Sequence, residues 1–179
     1  METIRRYFHS PIAVLGLVLL ALVCAGALGA GLWYPKNPLS LAGRPLQWPG
    51  ENARFLLGTD QVGRDIASQI LHGARVTLAI GLVATLLSVL IGVTLGAVAG
   101  YYGGAIDDLL MRVTEAFQIL PNFLLLLVLV AVFGSDLHTV VLAIGLVSWP
   151  PVARLTRSEF LTLKALSLIH ISEPTRQEA

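Results

Sequence analysis

Charged residues are scarce in this sequence of 179 residues, of which they make up 13%. An ordinary soluble domain carries about 25%. The 12 lysines and arginines nearly balance the 11 aspartates and glutamates, so the net charge is +1. Nucleic-acid binding needs a strong basic field, and this composition therefore argues against a nucleic-acid partner.

Cysteine is nearly absent, and nucleotide-binding motifs are missing. Cys24 is the single cysteine, so no internal disulfide forms, and the histidines do not combine with it at metal-ligand spacing. No glycine-rich loop followed by a lysine is present to hold a phosphate. The sequence therefore predicts no metal site, no directly bound cofactor and an energy source outside this chain.

Uncharged apolar runs dominate instead. A helix crosses the hydrocarbon core of a bilayer, about 30 Å thick, in about 20 residues, and a charge at mid-depth is costly. Four runs satisfy this length: residues 12–34, 76–106, 116–135 and 137–153. The first run could also be a secretory signal, although it exceeds the roughly 7–15 apolar residues of one. The sequence predicts an all-α, polytopic membrane protein with about four transmembrane helices.

The hydrophilic stretch at residues 35–75 is predicted to be a loop because prolines punctuate it. Near its end, Asp60 is predicted to cap a short amphipathic helix in which Ile66 and Ile70 lie one turn apart. Lysines and arginines occur in similar numbers in this loop and at the two ends of the four runs. The positive-inside rule therefore does not decide the orientation in the membrane.

Glycines recur at every fourth position in the second run, at Gly92, Gly96, Gly100 and Gly104. Small residues at this spacing give a helix a smooth face that another helix can approach closely. We predict a helix-packing face, with a hinge or sliding surface as the alternative.

Prolines interrupt the third run at Pro121 and end the fourth at Pro150 and Pro151. Proline lacks the backbone N–H, and it disfavours helical geometry at the preceding residue. We therefore predict a kink or break at Pro121 and a bend at the proline pair. Broken helices often line transport pathways, but a purely structural kink explains Pro121 equally well.

Four charged residues follow the second run at helical spacing: Asp107, Asp108, Arg112 and Glu115. The spacing allows Asp108 and Glu115 each to pair with Arg112 along one helix face. We predict that this cluster forms the water-exposed first turns of the third span. A polar contact with another subunit is the alternative.

The loop contains the motif LGTDQVGRD at residues 57–65. Together with GARVTL at 73–78, AGYYGG at 99–104 and WPPVARLTR at 149–157, it resembles the inner-membrane permease subunits of dipeptide, oligopeptide and nickel ABC importers. The resemblance covers roughly residues 5–164.

This resemblance implies a permease subunit that is not itself an enzyme and lies in the bacterial inner membrane. Its partners would be a second permease, two cytoplasmic ATPases that bind the ATP, and an extracytoplasmic substrate-binding protein. The implied organisation is a cytoplasmic N-terminus at 1–11, a first transmembrane helix at 12–34, a periplasmic loop at 35–75, and a permease core with helices 2–4 at 76–165. A stand-alone four-span scaffold or assembly protein is the alternative function.

Two groups of residues are candidates for the site. The loop motif supplies Gly58, Thr59, Asp60, Gly63, Arg64 and Asp65, which we predict to form a turn held by Asp/Arg pairing rather than a substrate contact. The resemblance places the start of the ATPase-coupling region at Arg154, Arg157 and Glu159. Ordinary anchoring of a cytoplasmic end by positive charge is the alternative for these three.

The family pattern stops near residue 164, before the rest of its ATPase-docking loop and its last two helices. Residues 166–179 instead resemble the translation of a sequencing adapter, so we expect a non-native tail on a truncated permease. A natural short cytoplasmic tail is the alternative. A chain without the complete docking loop is expected not to couple ATP hydrolysis to transport.

Overall fold

The computed structural model describes the backbone of residues 10–172 and the side chains of residues 10–165. The five helices of this part are α1 (Pro11–Trp33), α2 (Ile66–Tyr102), α3 (Gly104–Ile119), α4 (Asn122–Phe133) and α5 (Leu137–Ser172). The predictions for residues 1–9 and 173–179 lie outside the described residues. The chain divides into two compact units, Met1–Ala79 and Ile80–Ala179.

In the first unit, α1 is an uncharged helix of 23 residues, about 35 Å long at 1.5 Å per residue. Most of its large apolar side chains are exposed, which suits a helix surrounded by lipid. Its small residues Gly26, Ala27 and Ala30 are buried. A Cβ atom at Gly26 would lie 3.0 Å from Leu71 of α2, so the two helices pack closely there.

The start of α2 corrects the predicted cap. Asp65, not Asp60, occupies this position, and its Oδ1 accepts hydrogen bonds from the backbone N–H of Ala67 at 2.9 Å and of Ser68 at 3.4 Å. The predicted separate short helix is also wrong. Ile66 begins one continuous helix of 37 residues, because no breaker separates the amphipathic turns from the apolar run.

In the second unit, α2 ends earlier than the predicted run at 76–106. Gly103 and Gly104 have φ values of +66° and +55°, in the left-handed region that glycine adopts without steric cost. The chain turns there, and α3 begins. The third run is interrupted between Ile119 and Asn122, where Leu120 is extended with ψ of 130° before Pro121. The axes of α3 and α4 differ by 83°.

Helix α5 corrects the fourth run. It continues through Pro150 and Pro151, whereas the sequence predicts an end near residue 153. Pro150 is fully buried, and prolines are tolerated in helices whose freed backbone groups are satisfied by neighbouring helices and local adjustments.

Three helical segments are long and apolar enough to cross a membrane: α1, α2 and the part of α5 at Leu137–Ala165. The bent pair of α3 and α4 makes a fourth if both helices belong to one span. No strand occurs among residues 10–172. The all-α, polytopic fold class is therefore confirmed.

Candidate functional site

The glycines of α2 allow an unusually close helix crossing in the second unit. A Cβ atom on Gly92 would lie 2.6 Å from Cβ of Val152, and one on Gly100 would lie 2.5 Å from Cβ of Phe160. At Gly96 the added atom would overlap the carbonyl oxygen of Ala153. The backbones of α2 and α5 thus touch across these three positions. We call α2 residues 92–100, α3 and α5 residues 149–160 the helix junction.

Gly104 does not belong to this packing face. Among the described residues, no atom lies within 4 Å of a Cβ atom built there, and Gly104 instead supplies a left-handed backbone angle at the start of α3. The regular four-residue spacing fails at this position because Gly103 ends the helical geometry that the spacing requires.

An ion pair joins α3 to α5 at the helix junction. Arg157 donates from Nε to Oδ1 of Asp107 and from a terminal nitrogen to Oδ2, both at 2.5 Å. The Asp107 residue is 8% exposed, and the Arg157 side chain is 33% exposed. A paired carboxylate with two charge-assisted hydrogen bonds has fixed geometry, because the guanidinium presents two parallel N–H groups. The pair therefore fixes the position of one helix relative to the other.

This ion pair corrects the predicted role of the charged cluster. Asp107 is buried rather than exposed to water at the start of a span. Among the described residues, Arg112 forms no ion pair with Asp108 or with Glu115. Sequence reasoning missed the pair because its partners are fifty positions apart, and helical spacing reports only neighbours three or four positions away.

Two further contacts hold α3 against α5. Arg154 donates from Nη1 to Oε1 of Gln118 at 2.6 Å, on the exposed side. The ring of Phe117 meets the buried Trp149 in an edge-to-face arrangement, with centroids 5.3 Å apart. Arg154 and Arg157 thus contact opposite ends of α3. Non-helical residues, Gly103 and Leu120, flank this helix.

The third predicted coupling residue is placed differently. Glu159 is exposed and forms no hydrogen bond or ion pair with the described residues. One turn farther along α5, Lys164 donates to the carbonyl oxygen of Tyr101 at the end of α2, at 3.1 Å. The structure therefore brings Arg154 and Arg157 into the helix junction and leaves Glu159 on its surface.

In the first unit, the loop motif packs against an earlier segment of the loop. Gly58 and Gly63 have φ values of +79° and +87°, and a Cβ atom at either would overlap a backbone carbonyl oxygen, that of Gln47 or of Gly43 respectively. The N–H of Gly43 donates to the carbonyl oxygen of Gly63 at 3.0 Å. Only glycine satisfies both the backbone angle and the close approach.

The side chains of Thr59 and Asp60 add hydrogen bonds to backbone groups of this loop. The buried Thr59 hydroxyl donates to the carbonyl oxygen of Arg44 at 2.6 Å and accepts from the N–H of Gln47 at 3.0 Å. Oδ1 of Asp60 accepts from the N–H of Val62 at 2.9 Å and of Arg64 at 2.8 Å. The pKa of Asp60 lies below its usual range, chiefly because of the bond from the Arg64 amide.

The prediction that Asp/Arg ion pairs hold this turn is wrong. Among the described residues, neither Asp60 nor Asp65 forms an ion pair with Arg64, and Nε of Arg64 is buried without a hydrogen-bond partner. The turn is held by carboxylates that accept from backbone amides. The reason is geometric, since a carboxylate on residue 60 reaches the amides of the next four residues more readily than a long arginine side chain returns to it.

Comparisons with known proteins bear on the helix junction. Residues 92–173 match the family described as binding-protein-dependent transport system inner membrane component. Over this range the chain is similar to that permease family. Its matched range contains the whole helix junction and extends into the predicted non-native tail, whose origin stays a prediction.

Three curated relatives agree with this family. The chain is 36% identical over 157 residues to the dipeptide transport system permease protein of Haemophilus influenzae, covering 85% of this chain and 53% of the relative. It is 38% identical over 163 residues to the di/tripeptide transport system permease protein of Pseudomonas aeruginosa, covering 88% and 54%. It is 35% identical over 150 residues to the nickel transport system permease protein of Escherichia coli, covering 84% and 54%. The chain spans about half the length of the curated relatives it matches.

The described part of the chain has no cluster of three metal-ligating side chains. Its helix junction offers packing, hydrogen bonds and one ion pair, which position helices rather than perform bond chemistry. Together with its apolar helices, the family identifies a multi-pass membrane protein.

Proposed function

We propose that this chain belongs to a permease subunit of an ATP-driven importer of dipeptides, oligopeptides or nickel in the bacterial inner membrane. The observation that carries the proposal is the family match over residues 92–173, the range that contains the helix junction. The relatives named above support the substrate classes, since two are peptide permeases and one is a nickel permease.

The proposed assembly contains a second permease, two cytoplasmic ATPases and an extracytoplasmic substrate-binding protein. ATP binds to the ATPases, and this permease binds no cofactor. The exposed Glu159 follows Arg154 and Arg157 on α5, so a partner that pushes α5 at this position also moves the arginine contacts to α3. Motion then reaches α3 as a rigid segment, because the helical backbone is interrupted at Gly103 and at Leu120, on either side of α3.

The bent pair of α3 and α4 is the proposed lining of the translocation pathway. A break between two apolar helices exposes backbone polar groups, which membranes tolerate only where protein or a water-filled cavity surrounds them. Leu120 and Pro121 provide such a break at 83°. If α5 moves α3, the break would be opened to one side of the membrane and closed to the other.

Uptake in cells tests the proposal. Deletion of the gene in a strain without redundant systems is expected to abolish uptake of labelled dipeptide, oligopeptide or nickel chelate, and the complete gene is expected to restore it. Unchanged uptake of all three would contradict the proposed transport role. A stable homo-oligomer that purifies without any ATPase would favour the scaffold function instead.

A further inference from the structure

Two cavities meet at the end of α1 and are unexplained by the proposed function. The first, of about 460 Å³, has a mixed lining that includes the charged residues Lys36, Arg54 and Asp65 beside apolar ones such as Leu41 and Phe55. We call it the polar cavity because all charged side chains of the two linings belong to it. The second, of about 550 Å³, is apolar and is lined by Leu56, Leu57, Ala67, Ile70 and Leu71. Trp33 and Tyr34 line both cavities. Each volume lies within the roughly 300–1,000 Å³ typical of ligand sites.

The polar cavity carries an excess of positive charge. Lys36 and Arg54 are exposed and form no side-chain hydrogen bond or ion pair with the described residues, although Arg54 lies over the ring of the buried Phe55 at 5.7 Å. The opposing charge is Asp65, whose carboxylate already accepts backbone amides. Two unpaired cations therefore face one engaged carboxylate, and an anionic group complements this cavity.

Tyr34 adds a hydrogen-bond donor to the same wall. Burial, together with the charge of Asp65, raises the pKa of its phenol. A phenol is protonated at neutral pH even at its ordinary pKa of 10.0, and the shift acts in the same direction. An anionic oxygen in the cavity would find both positive charge and a neutral O–H group.

The apolar cavity lies where hydrocarbon is available. Trp33 ends a helix long enough to cross the bilayer, and tryptophan and tyrosine concentrate at the level of the lipid headgroups. The walls Leu56 and Ile70 are 69% and 54% exposed. A cavity with such walls beside a membrane-spanning helix is filled most favourably by an acyl chain, since burying both surfaces removes apolar area from water.

We propose that these two cavities form a binding site for an anionic phospholipid. The phosphate and its headgroup would occupy the cavity with Lys36, Arg54 and Tyr34, and an acyl chain would occupy the cavity with Leu56 and Ile70. The shared aromatic wall of Trp33 and Tyr34 would lie at the boundary between headgroup and chain. This inference does not depend on the transport role.

Native mass spectrometry of the detergent-purified chain tests the site with three probes: phosphatidylglycerol, phosphatidylcholine and inorganic phosphate. We expect phosphatidylglycerol to bind at least tenfold more tightly than phosphatidylcholine. Inorganic phosphate alone should neither bind detectably nor compete. Equal binding of the two lipids would overturn the charged headgroup site, and displacement by free phosphate would assign the polar cavity to a soluble anion instead.

Matched variants localise the binding. The double variant Lys36→Gln/Arg54→Gln is expected to lose the preference for phosphatidylglycerol, whereas Arg44→Gln, an exposed arginine of the same loop outside both cavities, is expected to keep it. Equal losses in both would show unspecific attraction and overturn the site. Each single variant should lose part of the preference for phosphatidylglycerol. The single variants therefore test the site even if the double variant does not fold.

The acyl-chain cavity has its own pair of variants. Leu56→Ser is expected to weaken both lipids several-fold, because it makes an exposed wall polar. Leu46→Ser changes a similarly exposed leucine, 66% exposed and outside both cavities, and is expected to have no effect. If the two variants changed lipid affinity equally, the proposed position of the acyl chain would be contradicted.

Discussion

Arg157 connects two helices through a contact between residues that are fifty positions apart in the sequence. Its guanidinium satisfies a carboxylate on Asp107 that is almost completely buried. Removing one member of such a pair leaves the other without its partner in a poorly solvated place. The pair therefore constrains which helix arrangements are stable.

Asp107→Asn is expected to destabilise the second unit by about 1–3 kcal/mol, because it leaves the Arg157 guanidinium without a counter-charge. Denaturant unfolding in detergent measures this change. Arg112→Gln removes a charge from the exposed face of the same helix and is expected to change stability by less than about 0.5 kcal/mol. Equal effects of the two variants would show that the ion pair contributes nothing specific.

Asp60 makes the loop sensitive to acid. Its pKa is lowered from the usual 3.8 by hydrogen bonds that favour the charged form. Its contribution to loop stability is therefore complete above pH 3.8 and is lost as the pH falls through the lower folded-state pKa. Hydrogen exchange should show that protection of the Val62 and Arg64 amides falls over this acidic range.

Asp60→Asn is the control for this titration, because asparagine keeps an acceptor oxygen and carries no ionisable group. The variant is expected to show weaker amide protection that does not change between pH 5 and the acidic range. A wild-type loop whose protection is equally flat would contradict the role of the Asp60 charge.

At the scale of the helices, close approach is the property that sequence spacing predicts best. Gly96→Ala is expected to destabilise the crossing of α2 and α5 by about 1–3 kcal/mol, because the added methyl group overlaps the backbone of Ala153. Thermal or denaturant unfolding in detergent reports the loss.

Gly81→Ala is the matched control in the same helix. In the described part of the chain, no atom lies within 4 Å of a Cβ atom at Gly81, so replacing this helical glycine is expected to be neutral or to stabilise by up to about 1 kcal/mol. A similar loss at both glycines would mean that the stability of α2 is unrelated to its approach to α5.

The sequence predicts the elements whose signal is local. The apolar length at 12–34 matches α1 at Pro11–Trp33, and Pro121 lies at the interruption between α3 and α4. Boundaries set by backbone geometry were harder to predict. The Gly103-Gly104 dipeptide indicates the turn that ends α2. The four-residue glycine spacing instead favours a helix that continues through Gly104.

Other features depend on tertiary contacts. Pro150 lies within a continuous helix because its surroundings bury it, and no local rule foresees that. The carboxylates of Asp60 and Asp65 could both cap a helix by residue type, and only the folded loop shows that Asp65 does so. The ion pair of Asp107 with Arg157 likewise requires knowing that α3 packs on α5.

At the scale of the whole molecule, the proposed function needs a partner that supplies the energy. The helix junction lies in the range that matches the permease family, and its contacts position helices against one another. The proposed transfer of motion starts at the exposed turn of α5 around Glu159.

The most direct measurement is site-specific photo-crosslinking from position 159 of the complete permease in native membranes, followed by identification of the captured protein. We expect capture of an ATPase with a phosphate-binding loop from this position, and no such capture from the exposed Leu39 of the first unit. Loss of the ATPase crosslink when the partner ATPase gene is deleted would confirm its identity. Failure to capture any ATPase from position 159, in membranes that perform uptake, would contradict the account.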